Sequence, residues 1–219
     1  MRLKDIAAFG TNEEVQARLE EIQAELYRFR DALWNRRELE VGCRVYPGIA
    51  RSTAEQLELL KKHLEDPIEI SASVCRTVFE INVVFRYCLS SNERLNAYAD
   101  QAATDEISIY KSIKQLAEED TDPNNLKLLD DHMNQIRAVM MKHGRDLKPE
   151  RATTYQMAKE IGLGDEYDAM YGIYSKYVHA SAWFVTRPRD HIDLPPFRLA
   201  LLVNSQVYSL DTVARLSAL

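Results

Sequence analysis

The sequence predicts an all-α protein, an antiparallel bundle of about seven to eight helices, and three observations carry that expectation. Turn formers are scarce: 219 residues hold seven glycines and seven prolines, too few for the many reversals of a sandwich or barrel. Apolar residues recur three and four positions apart along most of the chain, the period of a helix with one buried face. Helix-start signals punctuate these stripes, either Ser/Thr-x-x-Glu/Gln capping boxes or Asp-Pro pairs that join a cap to an N1 proline.

The elements follow in order. Thr11-x-x-Glu14 opens a long first helix over about 12–40, whose stripe is Val15, Leu19, Ile22, Leu26, Phe29 and Leu33. Tyr46-Pro47-Gly48 reads as a turn, after which Ser52-x-x-Glu55 caps a short second helix carrying Leu57, Leu60 and Leu64. Asp66-Pro67 starts a third helix that runs to about Ser90 on Val74, Val78, Ile81, Phe85 and Cys88. Ser90-x-x-Glu93 and Asp122-Pro123 begin a fourth helix (about 92–119) and a fifth (about 123–143, ending at Gly144). Thr153-x-x-Gln156 opens a short sixth helix that stops at Gly162, and Asp165 is placed to cap a seventh bearing Tyr167, Tyr171, Tyr174 and Val178. A proline-containing loop over 187–196 leads to a last helix at about 197–217. No linker is long or polar enough to divide the chain. We therefore expect a single domain over 1–219, with the core bundle at 52–182.

Composition excludes several function classes. The net charge is −6, and the stretch Glu93–Asp131 holds ten acids against four bases, so the remainder is neutral. Non-specific DNA binding needs a basic excess somewhere and is not expected. No apolar run approaches the roughly 20 residues of a membrane span. Cys43, Cys75 and Cys88 form no CxxC and no disulfide framework, which suggests a reducing, cytoplasmic setting. Neither a Glu-x-x-His nor a His-x-x-x-His pair is present, so no metal and no cofactor is expected.

Two helices carry the candidate chemistry. On the third, Phe79, Val83 and Tyr87 lie opposite the core stripe, so both faces are expected to be buried, and the polar residues among them need partners. Arg76 and Glu80, four apart, fall side by side on that second face, with Asn82 and Arg86 as a further polar pair. On the seventh, Tyr174-Ser175-Lys-Tyr-Val-His179 sets Ser175 and His179 one turn apart, and Gly172 a turn earlier leaves room for a close approach. The bland account is a structural Arg–Glu strut and a satisfied histidine. The sharper one is a shared polar site, with His179 moving protons, Arg76 anchoring an anion, Glu80 and Ser175 beside them, and Tyr174, Asn82 and Arg86 in binding roles.

These same segments carry a resemblance. Cys75-Arg-Thr-Val-Phe-Glu80-Ile-Asn82 and Tyr174-Ser175-x-x-x-His179-Ala-Ser181 resemble the Arg-x-x-x-Glu and Tyr-Ser-x-x-x-His segments of an uncharacterised, mostly bacterial helical family filed as a domain of unknown function. The resemblance implies a helical bundle in which Arg76, Glu80, Ser175 and His179 meet, and it brings no activity with it. A more distant likeness is to HEPN ribonucleases, helical dimers with an Arg-x(4–6)-His motif, here Arg137-Ala-Val-Met-Met-Lys-His143. It implies a homodimer, an RNA or nucleotide ligand and Arg137 with His143 as the alternative catalytic pair. The expected function is metal-independent RNA cleavage, or nucleotide or anion binding. The alternative is a non-catalytic, homodimerising or partner-binding module in which these residues are struts.

Overall fold

The computed structural model describes residues 6–118, 121–145 and 152–219, and among them it contains ten α-helices, one 3-10 turn and no strand. The helices are α1 (Asn12–Trp34), α2 (Gly42–Lys62), α3 (Ile68–Ser90), α4 (Asn92–Gln115), α5 (Pro123–Lys142), α6 (Thr154–Glu160), α7 (Gly164–Val178), α8 (Ala182–Thr186), α9 (Arg189–Ile192) and α10 (Pro195–Leu216). The chain forms two compact units, one of residues 1–90 with 153–219 and one of residues 91–152.

The larger unit is built around α3, which packs against α2, α6, α7 and α10, while α1 lies on α2 and α10. The burial of α3 on both faces follows from this central position. Val74, Val78, Phe85 and Cys88 are buried on one side, and Phe79, Val83 and Tyr87 on the other. Phe79 is the hub, with the rings of Tyr208, Tyr167 and Tyr174 at 4.8, 5.6 and 6.2 Å. Burial pushes the thiols of Cys75 and Cys88 up to about 12, so both stay protonated and pack as small apolar groups.

The first helix and its join to the second differ from the expectation. α1 ends at Trp34 rather than near residue 40, because Arg36 and Arg37 fall where the apolar stripe would next need a core residue. A 3-10 turn at Arg37–Leu39 and a left-handed Glu40 (φ 49°) then redirect the chain. Tyr46-Pro47-Gly48 is not a turn but part of α2. Proline fixes a helical φ and forfeits one N–H. Here burial of Tyr46, Pro47, Ile49 and Ala50, with Tyr46 edge-on to Phe85 at 5.8 Å, outweighs that loss.

Polar contacts bind α1 to α2 through Glu58, which receives Lys61 at 2.9 Å, Gln23 at 3.1 Å and Lys62 at 3.2 Å. These bonds, that from Lys61 foremost, hold the Glu58 carboxyl at about 2, below its ordinary 4.5. A depressed carboxyl contributes stability that is complete above the unfolded-state value and is lost as pH falls through the folded one. Glu58→Gln is therefore expected to flatten the pH dependence of stability between about 4.5 and about 2. Acid titration of the urea midpoint checks this, and solvent screening keeps the effect modest.

Farther along, Gly162 (φ 76°) ends α6 in a Schellman turn, with the Leu163 N–H donating to the Ala158 carbonyl at 2.8 Å. Because that turn runs straight on, α7 begins at Gly164 with Leu163 as its N-cap, and Asp165 lies inside the first turn instead of capping it. The segment expected as a loop folds locally into α9, preceded by α8, and α10 starts two residues early on Pro195-Pro196. In the smaller unit α4 packs on α5. Lys114 reaches both Asp130 oxygens at 2.7 Å, and Tyr110 stacks on His132.

Among the described residues no helix is long and apolar enough to cross a membrane. None of their His, Cys, Asp and Glu side chains form a group of three able to hold a metal ion.

Candidate functional site

Arg76 is the centre of the site. Its Nε donates to Glu80 Oε1 at 3.0 Å, its Nη1 lies 3.3 Å from His179 Nε2, and its Cζ stands 5.1 Å from the centroid of the Tyr171 ring. The Arg76–Glu80 pair is the i, i+4 geometry of one helix face. His179 and Tyr171 come from α7, about a hundred residues later. A guanidinium has only donors, so this contact makes His179 Nε2 the acceptor and assigns the ring proton to Nδ1.

Burial works against the charge on Arg76, but its hydrogen bond to Glu80 and the negative charge of that carboxylate outweigh it and raise the guanidinium above its ordinary value. The cation is thus permanent. It is also reachable: the Arg76 and Glu80 side chains keep 25% and 29% of their surface exposed, and His179 is exposed. Beneath them Tyr171 stacks on Tyr167 at 5.8 Å and 12°. The Tyr167 phenol is pushed up by burial, with the Glu80 charge adding to the effect and Arg76 opposing it.

The position of His179 depends on the end of α7. It does not continue the helix, as its spacing from Ser175 suggests. It is the C-cap residue in extended conformation (φ −119°, ψ 156°). Ser181 fixes this corner: its Oγ accepts from the Phe184 N–H at 3.2 Å and donates to the Lys176 carbonyl at 3.0 Å, while its N–H donates to the His179 carbonyl at 2.7 Å. Ser181 as the cap of α8 takes the chain out of helix two residues early, and this swings the imidazole toward Arg76.

The other expected site residues lie elsewhere. Ser175 donates back to the Gly172 carbonyl of its own helix at 3.4 Å, the usual state of a mid-helix serine. Tyr174 is fully buried, and its hydroxyl has no aligned hydrogen bond, the Asn204 amide beside it being turned to Met170 Sδ. Asn82 is six residues past Arg76, about 240° round the helix. There its amide donates to Asp211, Thr212 and the Tyr208 carbonyl at 2.8, 3.1 and 3.2 Å, on the seam with α10. The charge of Arg86 acts on that seam as well, through Asp211 and Tyr208. In the smaller unit Arg137 donates to Asn134 of α5 at 2.9 Å and His143 is the exposed C-cap of that helix. No hydrogen bond joins the two among the described residues.

Gly172 is not a point of close approach, since a Cβ there would meet nothing within 4 Å. Its helical position then costs backbone entropy without return. Gly172→Ala is expected to stabilise the unit by about 0.5–1 kcal/mol, read as a raised urea midpoint with an unchanged slope.

Two site residues were not singled out from sequence, Tyr171 and Ser181. The signal for Tyr171 was present, because it lies one turn before Ser175 and two before His179. That for Ser181 was the Ser-x-x-Phe start of a helix too short to show a stripe.

No curated protein and no solved structure matches the chain. The family model that matches does so over residues 39–189, more than half the chain and all of the Arg76, Glu80, Tyr171 and His179 cluster. The protein belongs to that family of unknown function, DUF5677.

Proposed function

We propose that Arg76 and His179 form a binding site for the phosphate group of a nucleotide or RNA ligand. The observation that carries this reading is the 3.3 Å pairing of a permanent cation with an imidazole on an accessible surface, contributed by two elements far apart in sequence. Glu80 holds Nε and so orients the guanidinium. A fork of N–H donors fixed in this way suits the oxygens of a phosphate. Tyr171, 39% exposed under the guanidinium, supplies an aromatic edge to the same spot.

The pairing also couples binding to chemistry. A phosphate that takes the Arg76 Nη1 donor releases His179 Nε2, whose lone pair then faces the ligand. On a ribonucleotide chain His179 would take the 2′-hydroxyl proton as the 2′-oxygen attacks phosphorus. Arg76 would stabilise the charge gathering on the non-bridging oxygens. The P–O5′ bond breaks, and the leaving oxygen receives a proton from the imidazolium. No metal enters this route.

The test is calorimetric titration with inorganic phosphate and nucleoside monophosphates, together with an assay of RNA cleavage, on the natural protein, Arg76→Ala and His179→Ala. Binding that both variants lose while remaining folded supports the site. If the natural protein binds none of these ligands and His179→Ala only lowers the melting temperature, the pair is a strut between α3 and α7.

A further inference from the structure

The face of α3 that carries Arg76 and Glu80 continues toward the helix start through Ser73 and Glu69, at spacings of three and four. Between this face, α2 and the end of α7 runs an open groove of about 360 Å³. Its apolar lining comes from Leu59, Ile70, Val74, Tyr177 and Val178, and its polar lining from Ser73 and Glu69. The volume falls in the range of small-ligand sites, and so does the lining, mostly apolar with a few placed polar groups.

The groove adjoins the phosphate site. Ser73 is one turn from Arg76, and Val178 immediately precedes His179. Its far end is held by Arg189, which donates to both Glu69 oxygens at 2.5 and 2.7 Å. Burial tends to raise the Glu69 carboxyl, but the Arg189 bonds outweigh that and keep it lowered and ionised. A carboxylate has about four lone-pair directions, so one held by a single guanidinium can still accept from a ligand N–H or O–H. Glu69 and Arg76 are about 10 Å apart along the helix axis. That span is comparable to the reach from the phosphorus of a nucleoside monophosphate to the outer edge of its base.

We infer that this groove receives the nucleoside of a 5′-nucleotide whose phosphate lies on Arg76 and His179. The base lies against Leu59, Ile70 and Val178, which are the apolar lining residues with exposed surface, the ribose meets the Ser73 hydroxyl, and Glu69 accepts from the base N–H edge. Arg189 acts as a positioning residue for Glu69. The inference rests on the phosphate-binding reading above and adds what that reading leaves open, the part of the ligand recognised beyond the phosphate.

The experiment titrates inorganic phosphate, ribose 5-phosphate and the four ribonucleoside 5′-monophosphates into the natural protein, Ser73→Trp and Leu59→Trp. Both substitutions sit at the open groove and fill it from opposite walls, and circular dichroism confirms folding. The expected result is that nucleoside monophosphates bind about tenfold more tightly than ribose 5-phosphate. Either tryptophan should erase that difference while leaving phosphate affinity unchanged. Two results would overturn the inference alone: nucleoside monophosphates no tighter than ribose 5-phosphate, or full nucleotide affinity in both folded tryptophan variants. Failure of every ligand, inorganic phosphate included, would instead remove the phosphate reading on which it stands.

Discussion

Replacing Phe79 by alanine is expected to cost about 3–5 kcal/mol, the range for removing a fully buried aromatic from a packed core. Phe79 is 1% exposed and meets the rings of Tyr167, Tyr174 and Tyr208. Deleting it removes its own transfer free energy and leaves a void between α3, α7 and α10. Those helices are stiff, so the void collapses only in part. Domains are stable by about 5–15 kcal/mol, so this one change brings the larger unit close to unfolding. Urea denaturation followed by tyrosine fluorescence measures it. A loss below about 1 kcal/mol would mean that Phe79 is not the hub of this packing.

The second large effect is functional. Arg76→Ala removes a charged donor from the proposed phosphate site, and hydrogen bonds to charged groups are worth about 1.5–3 kcal/mol. Phosphate affinity should therefore fall by about 10- to 150-fold. Stability should scarcely change, because Arg76 and Glu80 are partly exposed and such pairs contribute about 0–1 kcal/mol. This split between binding and stability separates a site from a strut. Glu80→Gln is the companion variant. It keeps a hydrogen-bond acceptor for Nε and removes a negative charge that repels an anion, so phosphate binding should be retained or tightened, in contrast to Arg76→Ala. Affinity equal to the natural protein in Arg76→Ala, or a large loss of stability with no binding in either protein, would contradict the assignment.

The legibility of this protein from its sequence divides by the range of the forces involved. Helix starts at Thr11, Asp122 and Thr153 are local hydrogen-bond problems, and the side chains expected to solve them do so. At α4 the cap is Ser91 rather than the expected Ser90, which ends α3 and donates its hydroxyl to the Tyr87 carbonyl. The two-sided burial of α3 was legible because Phe79, Val83 and Tyr87 oppose the core stripe and leave only the polar strip of Glu69, Ser73, Arg76 and Glu80 open. Pro47 was misread because local chemistry favours a turn, whereas burial of Tyr46 and Ile49 against distant residues keeps the helix intact. His179 shows the same limit in the site itself. Helical spacing placed it over Ser175, but the Ser181 cap, set by three hydrogen bonds within the corner, takes it out of the helix and leaves Ser175 bonded to its own backbone. The Arg76–Glu80 pair followed from a spacing of four. Its third member, contributed from across the fold, could be proposed from residue type but placed only by packing.

The central claim, that Arg76 and His179 act together on a phosphate, is tested most directly at the imidazole. The chain has five histidines, so a nitrogen-15 spectrum of histidine-labelled protein is simple, and His179→Ala assigns the signal. Titrating inorganic phosphate into the natural protein should move the His179 Nε2 resonance as its bond from Arg76 is exchanged for the ligand, and Arg76→Ala should abolish that movement. A His179 signal that phosphate leaves unmoved in the folded natural protein, or moves equally without Arg76, would contradict it.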